Sequence, residues 1–228
     1  MPSVLAKLST TPDLVDRVYG SLLEAVSTGA LAPGQRIKQE EVASQLAVSR
    51  QPVLQAIRQL KKDGLLESAP GRGVQVAPLD VAWMVKVYQV RGALDSLAAR
   101  LASERKAQLD PALLAQGRKA MRGRNVEAMI EADMAFHQAI YEASGNPLIG
   151  QIAGQNWRHL HRMMGAVLQS SDLRVAVWDE HEAIVTAIAA GQARAAAALV
   201  IKHCEHASEY LSTRMTKALA RAPAAMPP

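Results

Sequence analysis

Asp133 and His137 stand four residues apart in one apolar-patterned stretch, and His181 and His203 stand in two others. At i, i+4 spacing on a helix both side chains lie on one face and reach one point. That face also carries Val126, Met129, Ile130, Ile140 and Tyr141. His181 shares its stripe with Ile184, Val185 and Ile188, and His203 shares its stripe with Leu199, Val200, Ala207 and Tyr210. Four polar groups thus point into a helical core from three helices. Buried singly, each is costly; grouped on a cation, they satisfy one another. Three imidazoles and one carboxylate suit a divalent transition metal, Zn²⁺ first and Ni²⁺, Mn²⁺ or Fe²⁺ as alternatives, with coordination positions left open. Such an ion can bind a ligand, activate water or serve structure alone. His159, His161 and His206 lack the register and are read as solvated or as flanking the quartet.

The elements that must position this quartet are helical. From residue 79 onward no strand signal occurs. Asp80 is an N-cap, and Trp83, Val87, Val90, Leu94, Leu97 and Leu101 step by 3 and 4 along one long helix, with the Trp83 stripe forming core or dimer surface. Asp110-Pro111 opens a second helix that ends near Gly123. A third covers about residues 126–143 and closes at Gly145 and Pro147. A fourth covers about 148–168, with Ile149, Ile152, Leu160, Met163 and Val167 inward, and two more cover about 175–190 and 193–219. The expectation is an antiparallel all-α bundle over residues 79–219, then a disordered Ala/Pro-rich tail over 220–228. Arg91 lies among Val87, Val90 and Leu94. It is either a snorkelling cation at the core edge or the anion-binding group of an effector pocket. Cys204 points about 100° away from His203 on its helix and reads as a small apolar filler.

The first third of the chain has a different design. Val42, Ala43 and Leu46 give one short helix an apolar side, and Val53, Ala56, Ile57 and Leu60 do so for the next. Ser49 caps the second helix, Pro52 fits its first turn, and Gly64 ends it after Lys61-Lys62. Its exposed face keeps Arg50, Gln51, Gln55 and Arg58, with no acid between Ser49 and Lys62. Leu65-Leu66-Glu67-Ser68 and Val74-Gln75-Val76 bracket a Gly-rich tip bearing Arg72-Gly73, which reads as a hairpin with a basic end. A helix beginning at Thr11-Pro12-Asp13, with Leu14, Val15, Val18, Leu22 and Val26 on one face, packs behind the pair. This is a winged helix-turn-helix over residues 1–78, built to lay one helix in a major groove of operator DNA.

The run Val48-Ser49-Arg50-Gln51-Pro52-Val53, then Gly64-Leu65 and Arg72-Gly73, resembles the winged helix of the GntR family of bacterial transcription regulators. By that resemblance Ser49, Arg50, Gln51, Gln55, Arg58, Arg72 and Gly73 face DNA. The family commonly has Arg where this chain has Leu54 and Gly where it has Ala47. The later stretches, Tyr88-Gln89-Val90-Arg91 with Leu94-Asp95, Asp133 to His137, Ser144 to Pro147, Glu180 to Ile184 and His203, resemble the metal-binding FCD domain of the family's FadR-type branch. The resemblance implies that Asp133, His137, His181 and His203 are the metal ligands. It covers about residues 12–215.

The totals bound the alternatives. An apolar content of 49 % with 4 % aromatics, in 228 residues, allows a helical core of substantial size. A net charge of +5 is compatible with a polyanion partner, yet residues 1–80 hold nine Lys/Arg against eight Asp/Glu, so DNA binding rests on placement of cations rather than their total. One cysteine excludes an internal disulfide, and there is neither a signal-like start nor an apolar run near 18 residues. The sequence therefore predicts a cytoplasmic, homodimeric, ligand-responsive transcription regulator with no membrane partner. It predicts a repressor released by a small organic acid bound at the metal, with Arg91 as effector contact. The competing readings are a metal-dependent, hydrolase-like enzyme with Glu180 or Glu182 as base, and a DNA-binding protein with a purely structural metal.

Overall fold

The computed structural model describes residues 14–168 and 176–221, and the chain divides into two compact units between Pro78 and Leu79. The first unit runs α1 (Leu14–Ser27), β1 (Arg36–Ile37), α2 (Gln39–Gln45), α3 (Arg50–Lys62), β2 (Leu66–Ser68) and β3 (Val74–Val76). Its core gathers Val18, Leu22 and Val26 of α1 with Val53, Ala56, Ile57 and Leu60 of α3 and with Leu65, Leu66 and Val76. The i, i+3, i+4, i+7 pattern of α3 is what makes this burial possible. The helix start expected at Thr11 to Asp13 lies outside the described residues.

β2 and β3 pair antiparallel with Glu67 opposite Gln75, as a hairpin. The short strand β1 adds to the far edge of β3, giving the order β1-β3-β2, with Ile37 opposite Val74. Sequence patterning did not reveal β1, since two residues carry no periodicity. Gly64, at φ +73°, supplies the left-handed residue that closes α3. Ala47 takes the same conformation, φ +52°, in the turn between α2 and α3.

The second unit is a bundle of α4 (Val81–Glu104), α5 (Ala112–Gly123), α6 (Val126–Ala143), α7 (Pro147–Leu168), α8 (Val177–Ala189) and α9 (Ala193–Arg221). Asp80 caps α4 by accepting from the backbone N–H of Ala82 and Trp83. Asp110 and Asn125 accept in the same way from the N–H of Ala112 and Ala128 at the starts of α5 and α6. α9 runs through Arg221, two residues past the end expected from sequence, and residues 222–228 of the expected tail lie outside the described residues.

The face that α4 buries differs from the one its bulky residues mark. Met84, Val87, Tyr88, Arg91, Gly92, Asp95, Ala98, Ala99 and Ala102 are buried, whereas Trp83 is 47 % and Val90 50 % exposed. The reason lies in size and charge. Small residues let α9 come close, so that a Cβ on Gly92 would stand 3.5 Å from Cys204 Cβ, and Arg91 and Asp95 neutralise one another inside. On α7, Ile149, Leu160, Met163 and Val167 are buried as expected, but Ile152 is 50 % exposed. Cys204 is buried, as expected of a filler.

Candidate metal centre and nucleic-acid interface

α6, α8 and α9 bring Asp133, His137, His181 and His203 together inside the second unit, with one ligand atom from each within 4.8 Å of the others. His181 Nε2 lies 3.3 Å from His203 Nε2 and 3.5 Å from Asp133 Oδ1, and His137 Nε2 lies 3.9 Å from Asp133 Oδ1. Ligands about 2.0–2.1 Å from a zinc ion stand roughly 3.3–3.4 Å apart along a tetrahedral edge. The spacing therefore fits a first-row divalent ion. The hydrogen bonding fits too: His137 is buried, yet neither of its ring nitrogens has a hydrogen-bond partner. A buried imidazole left so is costly unless a cation takes its lone pair.

A carboxylate holds the outer face of His203, and another stands beside His137. His203 Nδ1 is 2.8 Å from Glu180 Oε2, and the other oxygen of Glu180 is 2.8 Å from His206 Nδ1. His137 Nδ1 is 3.1 Å from Asp95 Oδ2, although out of line for a hydrogen bond. Carboxylates in these places orient a ligating imidazole and raise its basicity. Neither role was visible in the sequence, since it depends on which helix faces which. Phe136 stacks on the His181 ring at 4.0 Å and Trp178 meets it edge-on at 4.6 Å. Trp178 in turn lies against the bare backbone of Gly117, where a Cβ would fall 1.9 Å from the indole.

Arg91 is 2 % exposed, so it does not snorkel. Its Nε donates to Asp95 Oδ2 at 3.1 Å, its guanidinium lies 4.2 Å from the centre of the Trp157 ring, and Nη2 is 3.6 Å from Asp133 Oδ2. That Nη2 is buried with no hydrogen-bond partner. Burial opposes the charge of Arg91, but Asp95, Tyr88 and Asp133 outweigh it and raise its pKa well above the usual value. Burial likewise opposes the charge of Asp95, and Arg91 and His137 overcome it, holding the carboxyl at about 2. The pKa of His137 is lowered, first by burial and then by the Arg91 charge, which favours the neutral ring with one nitrogen lone pair available. A cavity of ≈ 70 Å³ adjoins the quartet, lined by Arg91, Asp133 and His203 together with Tyr88, Tyr210 and apolar side chains. One water needs about 10–15 Å³ on such a measure, so there is room for several non-hydrogen atoms.

In the first unit Ser49, Arg50, Gln51, Gln55 and Arg58 are exposed along α3, while Pro52, Val53, Ala56, Ile57 and Leu60 are buried. Ser49 stands at the N-cap position in extended conformation, but its hydroxyl makes no cap hydrogen bond, contrary to the sequence expectation. Arg72 and Gly73 are exposed at the hairpin tip. Arg36 ties that tip down, donating to the carbonyls of Pro70 and Arg72 at 2.8 and 3.3 Å. The Arg50 guanidinium pairs with Glu40 of α2 at 2.8 Å, a partner that the acid-free run of α3 did not suggest.

Family models match both units: the gntR family of bacterial regulatory proteins over residues 14–76, and the FCD domain over residues 86–206. The chain belongs to the GntR family, in its FCD branch. The regulator LutR of Bacillus subtilis is 27 % identical to it over 212 residues, covering 82 % of this chain and 96 % of LutR. A probable D-xylose utilization operon transcriptional repressor of Paenarthrobacter nicotinovorans is 26 % identical over 190 residues, 82 % of this chain and 83 % of that one. Escherichia coli McbR/YncC has the same fold, with a TM-score of 0.75 at 21 % identity over 90 % of this chain and all of that one. As a GntR/FCD regulator the protein is a DNA-binding, ligand-responsive transcription factor. FCD domains are a metal-binding family, and the buried quartet could hold an ion. Its relatives are transcriptional regulators. Among the described residues no helix is long and apolar enough to cross a membrane.

Proposed function

We propose that this regulator is a homodimeric, cytoplasmic repressor released from its operator by a small carboxylate that binds in the cavity beside the metal quartet. The carrying observation is Arg91 Nη2, a buried cationic donor without a hydrogen-bond partner on a cavity that Asp133 and His203 also line. An unpaired buried donor is costly, and a carboxylate oxygen is the acceptor that satisfies it best. The quartet would hold the ion through Asp133 Oδ1 and the Nε2 atoms of His137, His181 and His203, with zinc the first expectation. A bound divalent ion supplies open coordination positions to a second oxygen donor. Glu180 fixes the ring of His203, Asp95 fixes the guanidinium edge of Arg91, and the apolar wall around them limits water. The preferred ligand is therefore a short organic acid with carboxylate or hydroxyl groups at both ends.

The sense of the switch draws on the relative described as a probable repressor. To release DNA, the acid must bind one state of the protein more tightly than the other. A 100-fold ratio corresponds to about 2.7 kcal/mol, within reach of one charged contact made in a single state. An enzymatic reading has less support, because Glu180 is engaged by His203 and His206, and Glu182 pairs with Arg118 at 2.8 Å. Residues 1–78 would read DNA, and residues 79–219 would hold metal and effector. Operator titrations with a panel of organic acids, on metal-loaded and metal-stripped protein and on Arg91→Ala, test this reading. The expected result is release by an acid from the metal-loaded wild type alone. Equal responses of apo, loaded and Arg91→Ala protein would remove both halves of the site.

A further inference from the structure

Glu40 lies on α2 with its carboxylate 2.8 Å from the Arg50 guanidinium, at the N-terminal end of α3. Both side chains are more than 60 % exposed. In a helix-turn-helix the N-terminal residues of the second helix are the ones that meet base edges. An acid carried to that place faces two problems. It is repelled by the phosphates, and it loses water on entering the groove. Both are offset only if the carboxylate keeps a donor. In the major groove that donor is an exocyclic amine, and a Glu carboxylate pairs with cytosine N4 as an Arg guanidinium pairs with guanine O6 and N7.

We infer that Glu40 is a specificity-determining residue, which reads a cytosine on the base pair next to a guanine read by Arg50. The 2.8 Å between the two charged ends compares with a base step of roughly 3.4 Å, so neighbouring pairs are within reach of both. The unbound ion pair is exposed and so contributes little on its own, which lets it open on the operator at small cost. It places the Arg50 guanidinium beside the first turn of α2 before DNA arrives. This inference rests on α3 being the recognition helix.

Selection of binding sites from a randomised duplex pool, with the full chain as wild type, Glu40→Gln, Glu40→Ala and Arg50→Ala, tests it. The expected wild-type consensus holds a guanine beside a cytosine. Glu40→Gln and Glu40→Ala should lose the cytosine preference and keep the guanine, and Arg50→Ala should lose the guanine. On a fixed operator, replacing that cytosine by thymine should weaken wild-type binding about tenfold and leave the Glu40 variants nearly unchanged. If Glu40→Ala keeps the wild-type base preferences and only binds every sequence more tightly, Glu40 is an electrostatic brake and the inference is overturned. A wild-type chain that selects no sequence, or an Arg50→Ala chain that selects the same one, overturns the recognition-helix reading with it.

Discussion

Asp95 accepts a hydrogen bond from Arg91 at 3.1 Å, one turn away on α4, with both side chains buried. The same carboxylate receives the Tyr141 hydroxyl at 2.5 Å and faces His137 Nδ1 at 3.1 Å. One side chain thus holds the arginine of the candidate effector cavity and stands beside an imidazole of the quartet. Asp95→Ala leaves the Arg91 charge buried with less compensation, and should destabilise the second unit by about 3–5 kcal/mol. Asp95→Asn keeps the shape and should cost less stability while weakening metal affinity by about 10–100-fold. Denaturant unfolding and metal competition with a chromophoric chelator read these effects separately. Wild-type metal affinity in Asp95→Asn would deny the carboxylate its link to His137.

The quartet itself predicts one divalent transition ion per subunit. His137→Ala and His203→Ala should each lose the ion and lower the unfolding temperature, because binding energy at such a site is also folding energy. Elemental analysis of protein purified without an affinity tag gives the stoichiometry. Full metal content in His181→Ala would show that the ligand set is wrong.

Gly117 is held by contact rather than by conformation. A Cβ there would fall 1.9 Å from Trp178 Cζ2, and Trp178 lies edge-on to the His181 ring. Gly117→Ala should therefore displace the indole, cost about 1–3 kcal/mol as overpacking does, and weaken metal binding through a ligand it never touches. A shifted tryptophan emission together with a raised metal dissociation constant is the expected pair of signals. An unchanged dissociation constant would mean that Trp178 does not position His181.

The quartet was legible because metal-competent residues recur on apolar stripes at helical spacing, a pattern that has few other causes. The winged helix was legible through Ser49, Pro52 and Gly64, whose backbone preferences mark the ends of α3. What escaped the sequence were pairings between elements: Glu40 with Arg50, Glu180 with His203, Asp95 with His137, and β1 with β3. Of the two roles open to the Trp83 stripe, core is excluded by its exposure, and what the sequence did not show is that Arg91 and Asp95 form one ion-paired, packed unit inside the bundle.

Ala47 sits at φ +52°, where its Cβ crowds the following carbonyl. Ala47→Gly removes that crowding but adds freedom to the unfolded chain, and the first effect is larger at a left-handed position. The first unit should gain about 0.5–1 kcal/mol, seen as a raised midpoint in its unfolding transition. No gain, or a loss, would mean that the Ala47 methyl makes contacts that compensate its strain.

The face that α4 leaves uncovered carries large apolar side chains. Trp83 meets His159 edge-on at 6.0 Å, and at the opposite end of the helix pair a Cβ on Gly145, just before α7, would stand 2.9 Å from Arg105, just after α4. The two helices therefore run antiparallel. Trp83, Val90, Leu148 and Ile152, all 47–60 % exposed, fall along one side of the pair, with half-buried Leu94, Leu97 and Leu101 beside them. From Trp83 to Leu101 the strip extends about 27 Å, at 1.5 Å per residue. With helix axes about 8–10 Å apart, it offers on the order of 500 Å², the larger part of the ~800 Å² that each partner gives to a standard interface. We expect a second copy of the chain to cover it, since one recognition helix reads few base pairs and a two-fold operator doubles the contacts. Val90→Glu with Ile152→Glu should leave the fold intact, because both positions are exposed in the subunit. Each carboxylate, buried without a partner, would cost at least about 3 kcal/mol, so dimerisation should weaken by roughly 100-fold or more. Sedimentation velocity should then report monomers at micromolar concentration, with operator affinity reduced in step. A variant that still sediments as a dimer would move the interface to another face of the chain.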